Sequence, residues 1–232
     1  MKKIGIIGGI GPESTVDYYR GIISLYRERS GDENYPALCI NSVNMTEMLS
    51  YVSDGNYGAL ISLLLGSLEE LARAGAELAA IASNTPHIVF DEVSARSPLP
   101  LVSIVEETCK KAESLGIRKA LLIGTAFTMR SSFYRDCFSR HSIPMLVPSP
   151  EEQGLIHGII FPELEEGTVI PEKKAALLGI CNRIIAQEQA DCVVLGCTEL
   201  PLMVRDGDLD TAILNTTQIH IEALVSRLMQ ET

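Results

Sequence analysis

Ser83-Asn84-Thr85 and Cys197-Thr198-Glu199 stand 114 residues apart, the first directly after a short apolar run, 78–82, and the second one glycine beyond another, 192–195. In a parallel sheet the loop past a strand's carboxyl end is where ligands sit, so a hydroxyl and a thiol at two matched strand ends could face one substrate from opposite sides. That arrangement suits reactions in which a proton leaves one face of a carbon and another returns to the opposite face. The thiol is the better base, because its ordinary pKa of about 8.5 can be lowered by nearby donors. A serine hydroxyl is far weaker and can pass a proton only if something resupplies it. His87, four residues beyond Ser83, could reach it if the loop turns back.

Gly8-Gly9-Ile10-Gly11-Pro12 is a third candidate loop. It is not a dinucleotide fingerprint: Ser14 occupies the third glycine's place, and the next apolar run ends at Asn41-Ser42-Val43-Asn44 without a carboxylate. Two readings of the glycines stand: a tight strand-to-helix turn with no ligand, or backbone N–H groups at a helix start that hold a carboxylate.

The elements that must position these loops repeat. Lys3-Ile4-Gly5-Ile6-Ile7-Gly8 returns 116 residues later as Lys119-Ala120-Leu121-Leu122-Ile123-Gly124, close to the 114-residue offset of the reactive loops. Similarity at a fixed offset near half the chain marks a duplicated unit. Strands are expected at 4–7, 37–43, 78–82, 101–105, 120–123, 145–147 and 192–195. Helices are expected at 14–29, 57–74, 131–141, 153–165, 171–189 and 217–229, the first with Val16, Tyr19, Ile22, Ile23 and Tyr26 as its apolar face. This alternation, with strands too apolar for a wet face, predicts an α/β fold of two duplicated domains with parallel sheets covered by helices on both sides. The domain limits expected are 1–102, joined by a C-terminal helix at 214–232, and 103–213, with hinges near 98–103 and 212–216.

Composition narrows the class. A net charge of −11 argues against a nucleic-acid partner, which needs clustered Lys and Arg. Six cysteines without CxxC spacing suggest reduced thiols in a cytoplasmic protein and no metal site. No signal-peptide core and no apolar run of spanning length is read, so no membrane partner is expected. Cys39, Cys109, Cys137, Cys181 and Cys192 read as buried, inert thiols. The acidic run 163–166 reads as a solvated helix end without function.

Taken together, Gly8-Gly9-Ile10-Gly11-Pro12, Asn84-Thr85-Pro86-His87, Gly124-Thr125, Gly196-Cys197-Thr198-Glu199 and Thr217-Gln218-Ile219-His220 resemble, in order and spacing, the aspartate/glutamate racemase family over essentially the whole chain. The resemblance implies a homodimer whose subunits are two duplicated Rossmann-like domains with the active site in the interdomain cleft, taking a small amino acid and no cofactor, neither pyridoxal phosphate nor metal. It implies that two cysteines flank the substrate's α-carbon, one removing the α-proton and the other returning one. Here Ser83 stands where the family's first cysteine is expected and Cys197 keeps the second. The expected reaction is racemisation of aspartate or glutamate, with Cys197 as thiolate base on the L face and a bias from L to D. Gly9, Gly11, Asn84, Thr85, Thr125, Thr128, Thr198 and Glu199 are the substrate-binding positions the resemblance implies, Glu199 also as a group that orients Cys197. Asn84, Thr85 and Thr198 read equally as helix caps, and His87 and His220 as structural hydrogen-bonding residues.

Side-chain specificity is open at this level. The loop Asn44-Met45-Thr46-Glu47-Met48 carries no cation for a distal carboxylate, and Arg130, expected at a helix start, reads as pointing to solvent. Two other functions fit the same residues: a single-cysteine decarboxylase or isomerase of the wider superfamily, and a catalytically silent amino-acid-binding protein.

Overall fold

A computed structural model describes residues 2–31 and 33–230; the domain limits expected at Met1 and Thr232 lie outside the described residues. The chain forms two compact units, residues 1–104 with 217–232 and residues 105–216.

In the first unit β1 (Ile4–Gly8) leads into α1 (Pro12–Ser30), β2 (Leu38–Ser42), α2 (Met45–Ser53), α3 (Tyr57–Arg73) and β3 (Leu78–Ile81). A 3-10 turn (Thr85–Val89), α4 (Phe90–Arg96) and β4 (Leu101–Val102) follow, and α5 (Ile104–Ser114) opens the second unit. There β5 (Ala120–Ile123), α6 (Ala126–Arg130), α7 (Phe133–Arg140), β6 (Met145–Leu146) and α8 (Pro150–Ile159) precede a π turn (Ile160–Leu164). Then come α9 (Pro171–Glu188), β7 (Cys192–Leu195), α10 (Leu200–Met203), β8 (Ala212–Asn215) and α11 (Thr216–Met229), the last mostly in the first unit.

Each unit is built on a four-stranded parallel sheet, ordered β2-β1-β3-β4 in one and β6-β5-β7-β8 in the other. The orders are equivalent, and Ile7 pairs with Ile81 as Ile123 pairs with Leu195, so the duplication read from the sequence is a duplication of topology. The order reverses between β1 and β3 and between β5 and β7. The loops after those strand pairs therefore lie at each sheet's switch point.

The central strands β1, β3, β5 and β7 are buried along their whole length. Removing each such Ile, Leu or Val from water contributes roughly 1.5–3 kcal/mol. The edge strands differ from expectation: β2 and β8 are partly exposed, because an edge strand has helices and a neighbour on fewer sides. In the first unit Ile221, Leu224, Val225 and Leu228 of α11 join Tyr18, Ile22 and Tyr26 of α1 and Ile4, Ile6 and Leu78 of the sheet in one core.

Several local expectations are corrected. The buried face of α1 is Ser14, Tyr18, Ile22 and Tyr26, while Val16 and Tyr19 are exposed. Both stripes have helical spacing, and packing against α11, with Ile221 against Gly21, selects one. Residues 44–48 open α2: the Asn44 side chain accepts from the N–H groups of Thr46 (3.0 Å) and Glu47 (3.4 Å), an N-cap. Strand 101–105 is only two residues before α5 begins. The helix at 153–165 breaks at Phe161, whose φ −107° and ψ 137° are extended. Residues 212–215, expected as a hinge, are strand β8 paired to β7.

Candidate active site

In the second unit the site grows from the end of β7. Its four buried residues run into Gly196, whose N–H bonds the Ile123 carbonyl at 2.7 Å. Gly124 and Gly196 let the two strand ends approach: a Cβ on Gly124 would lie 2.9 Å from the Gly196 carbonyl oxygen, and one on Gly196 would lie 2.7 Å from Leu122 Cδ1. Thr125 caps α6 by accepting the Thr128 N–H at 3.2 Å, and the two threonine hydroxyls bond at 3.1 Å. The Thr128 methyl lies under Gly196. These threonines thus shape the floor of the Cys197 loop.

Cys197, Thr198 and Glu199 are all buried, at 5%, 7% and 4% exposure. The Cys197 thiol donates to Glu199 Oε2 at 2.9 Å, and the Thr198 hydroxyl donates to the same carboxylate at 3.0 Å. Glu199 is the N-cap residue of α10, yet its side chain caps no helix N–H and is committed to its two predecessors. Burial, then the charge and hydrogen bond of Glu199, hold the Cys197 thiol well above its ordinary pKa. The resting group is a thiol with a built-in acceptor for its proton. Burial pushes Cys181 and Cys192 up to about 12, and among the described residues neither thiol has a side-chain carboxylate hydrogen bond like that of Cys197.

One group here was missed. Glu165, in the acidic run read as solvated, has a carboxylate oxygen within 4.8 Å of both Cys197 Sγ and a Glu199 oxygen. Burial and then the Glu199 charge push it up to about 7. No local pattern separates Glu165 from its acidic neighbours; the break at Phe161 and the packing of the π turn on α10 bring it in. Glu165, Cys197 and Glu199 are also the donor set among the described residues that could hold a metal ion, where an ion would compete with the thiol proton for the same electron pairs.

In the first unit Ser83, Asn84 and Thr85 follow β3, beside the glycine loop that follows β1. The Ser14 hydroxyl donates to the Ala82 carbonyl at 2.8 Å and ties the start of α1 to the residue before Ser83. Gly9 has φ +78°, and a Cβ there would lie 2.4 Å from the Val43 carbonyl oxygen, so no side chain fits; Gly11 is also left-handed. The Gly9 N–H is taken by Thr15 Oγ1 at 2.9 Å, which removes it from any anion site. Ser83 and Asn84 are buried, and Asn84 does not cap the 3-10 turn through its side chain.

His87 does not supply Ser83 with a base. Its Nδ1 donates to the Ser83 carbonyl oxygen at 2.9 Å, not to the hydroxyl, and its Nε2 accepts the Ile104 N–H at 3.3 Å. Both ring nitrogens are used, and burial holds its pKa down to about 3. His220 is likewise spent: Nε2 donates to the Val102 carbonyl at 2.9 Å and Nδ1 accepts from the Tyr18 hydroxyl at 2.6 Å. Arg130 is in the last turn of α6 rather than at a helix start, and its Nε donates to Gln153 Oε1 at 3.3 Å.

Paired parallel-sheet units, with a proton-bearing thiol–carboxylate pair at a switch point of one, define an α/β protein equipped for proton transfer. Residues 7–224 match the family model described as Asp/Glu/Hydantoin racemase, and the chain belongs to that family. It is 21% identical over 226 residues to the broad specificity amino-acid racemase RacX of Bacillus subtilis (strain 168), covering 96% of each chain. A crystal structure of an aspartate racemase homologue from Pyrococcus horikoshii OT3 superposes with TM-score 0.87 at 37% identity, covering 99% of this chain and 100% of that one. The Picrophilus torridus aspartate racemase shares the fold at TM-score 0.79 and 20% identity, over 100% of this chain and 96% of its own. Among the described residues no helix is long and apolar enough to cross a membrane.

Proposed function

We propose that this chain is a cofactor-independent amino-acid racemase in which Cys197 works on the L face of the α-carbon and Ser83 on the opposite face. The observation that carries the reading is the Cys197 thiol hydrogen-bonded to the Glu199 carboxylate. Transfer of the thiol proton to Glu199 makes a thiolate at the moment of reaction, and the thiolate takes the α-proton. Ser83 then gives a proton to the other face and is resupplied by water. A serine without a dedicated base abstracts a proton poorly, so L-to-D turnover exceeds the reverse. Gly11, Asn84, Thr85, Thr125, Thr128 and Thr198 complete the proposed substrate-binding set, with Gly9, its N–H held by Thr15, shaping the loop; the protein is proposed to act as a cytoplasmic homodimer.

Aspartate and glutamate, the substrates in the family's name, are the first to test. A neutral panel belongs beside them, because two carboxylates stand next to Cys197 and Arg130 is engaged by Gln153. The test is α-proton exchange and inversion in D2O for each enantiomer, with Cys197→Ala as control. Exchange that starts from L substrates and vanishes in the variant supports the reading; silence across the panel overturns it.

A second reading is favoured by the same thiol. Cys197 at rest is an acid, which is what a single-thiol decarboxylase needs to protonate a planar enolate. Release of CO2 from a malonate-type acid, without exchange on amino acids, would select that reading.

A further inference from the structure

The acidic run 163–166 is divided by the fold. Glu163 pairs with Lys173 Nζ at 2.7 Å, and Glu166 is exposed. Glu165 instead joins Cys197 and Glu199, with one atom of each within 4.8 Å of the others, a spacing that a single bridging water spans. Of the three it is the one solvent reaches, since it is half-buried while its partners are buried. Glu199 is the charged group that bears on it. Lys173 of α9 is held by Glu163 and the Gly158 carbonyl, and His157 of α8 lies against Phe161 at 5.0 Å.

A racemase with unlike groups on its two faces has a proton to clear. At rest Cys197 is a thiol and Glu199 accepts its hydrogen bond. The S–H proton passes to Glu199, and the thiolate takes the α-hydrogen, whose C–H electron pair stays on carbon. The carbanion then receives a proton from the Ser83 side. This leaves Cys197 again a thiol and Glu199 protonated, one proton in excess on this side and one short at Ser83. Both members of the buried pair are shut off from water, so the excess proton needs a route out.

We infer that Glu165 is that route: its carboxylate takes the proton from Glu199 through a bridging water and passes it to solvent, acting through Glu199 and not on the substrate. The inference rests on the racemase reading above.

The test measures, in D2O, deuterium appearing in recovered L substrate per molecule of D product formed, with whichever amino acid the wild type turns over. In the wild type the abstracted proton exchanges before internal return, so recovered L substrate is labelled. In Glu165→Gln the proton is retained and the ratio falls by about tenfold, while Glu165→Asp restores it. A partition ratio is indifferent to how much enzyme is folded. Should Glu165→Gln not fold, Glu165→Ala, which also removes the carboxylate, decides the matter: its ratio is expected to fall by about tenfold and to recover when formate is added to the buffer. An unchanged ratio in Glu165→Gln, or in Glu165→Ala where the former does not fold, overturns the inference and leaves the racemase reading intact. A wild type that neither exchanges nor inverts any amino acid overturns both.

Discussion

The Cys197 thiol lies 2.9 Å from Glu199 Oε2 and donates to it, with both groups nearly sealed from water. Burial alone raises a thiol's pKa, as it does for Cys181 and Cys192. The carboxylate two residues on raises the thiol's pKa at rest and, in the proposed mechanism, is the acceptor for its proton.

Removing that acceptor separates the two roles. Glu199→Gln keeps the shape but accepts the thiol proton poorly, and the L-substrate exchange rate is expected to fall by about 10²- to 10³-fold. Cys197→Ala is expected to abolish it. Proton exchange followed by NMR in D2O reads both; an exchange rate within threefold of wild type in Glu199→Gln would remove Glu199 from the mechanism.

Ser83 can be tested in both directions of chemistry. Ser83→Ala is expected to retain wash-in of deuterium to L substrate at Cys197 while losing inversion. Ser83→Cys is expected to raise exchange of the D enantiomer by about tenfold or more, since a thiolate is a far better base than an alcohol near neutral pH. Equal exchange of both enantiomers by the wild type would defeat the proposed L-to-D bias.

Gly124 touches no reacting group in this scheme, yet a Cβ there meets the Gly196 carbonyl oxygen at 2.9 Å. Backbone cannot swing aside as a side chain can. Gly124→Ala is therefore expected to displace the Cys197 loop and cost about 1–3 kcal/mol of stability. Its kcat should fall more than its KM rises, as measured by steady-state kinetics beside thermal unfolding.

His87 and His220 predict an acid limb in stability. Burial lowers their folded pKa values to about 3 and about 4, against an unfolded value of about 6.5. The unfolded chain binds protons first, so the stability they contribute is complete above pH 6.5 and is lost as pH falls toward 4. Glu165, raised rather than lowered, contributes with the opposite sign between its unfolded pKa and about 7, so Glu165→Gln isolates the histidines. Urea unfolding from pH 7 to 4 is expected to show a falling midpoint. Tyr18→Phe, which strips the hydroxyl donor from His220 Nδ1, should cost about 1–3 kcal/mol at neutral pH.

The duplication, the central strands and the Gly196-Cys197-Thr198-Glu199 loop were legible in the chain because they rest on contiguous residues: apolar runs that end in glycine, repeated at one offset. Less legible were features set by neighbours distant in sequence. Residues 44–48 read as a loop, although Asn44 is a good capping residue, since the nine residues of α2 carry too little periodicity to announce it. The buried stripe of α1 was chosen by α11, some two hundred residues away along the chain.

By itself the sequence determined that two parallel α/β units would form and that Ser83 and Cys197 would stand at equivalent strand ends. Hydrophobic patterning and glycine placement act locally, within a strand and its loop. Only the tertiary structure decided which charged groups surround those ends. It turned the His87 imidazole away from the Ser83 hydroxyl, bonded the Cys197 thiol to Glu199, and drew Glu165 out of an acidic run to their side. Hydrogen bonds and desolvation depend on three-dimensional distance and burial, and those exist only once the strands and helices have packed.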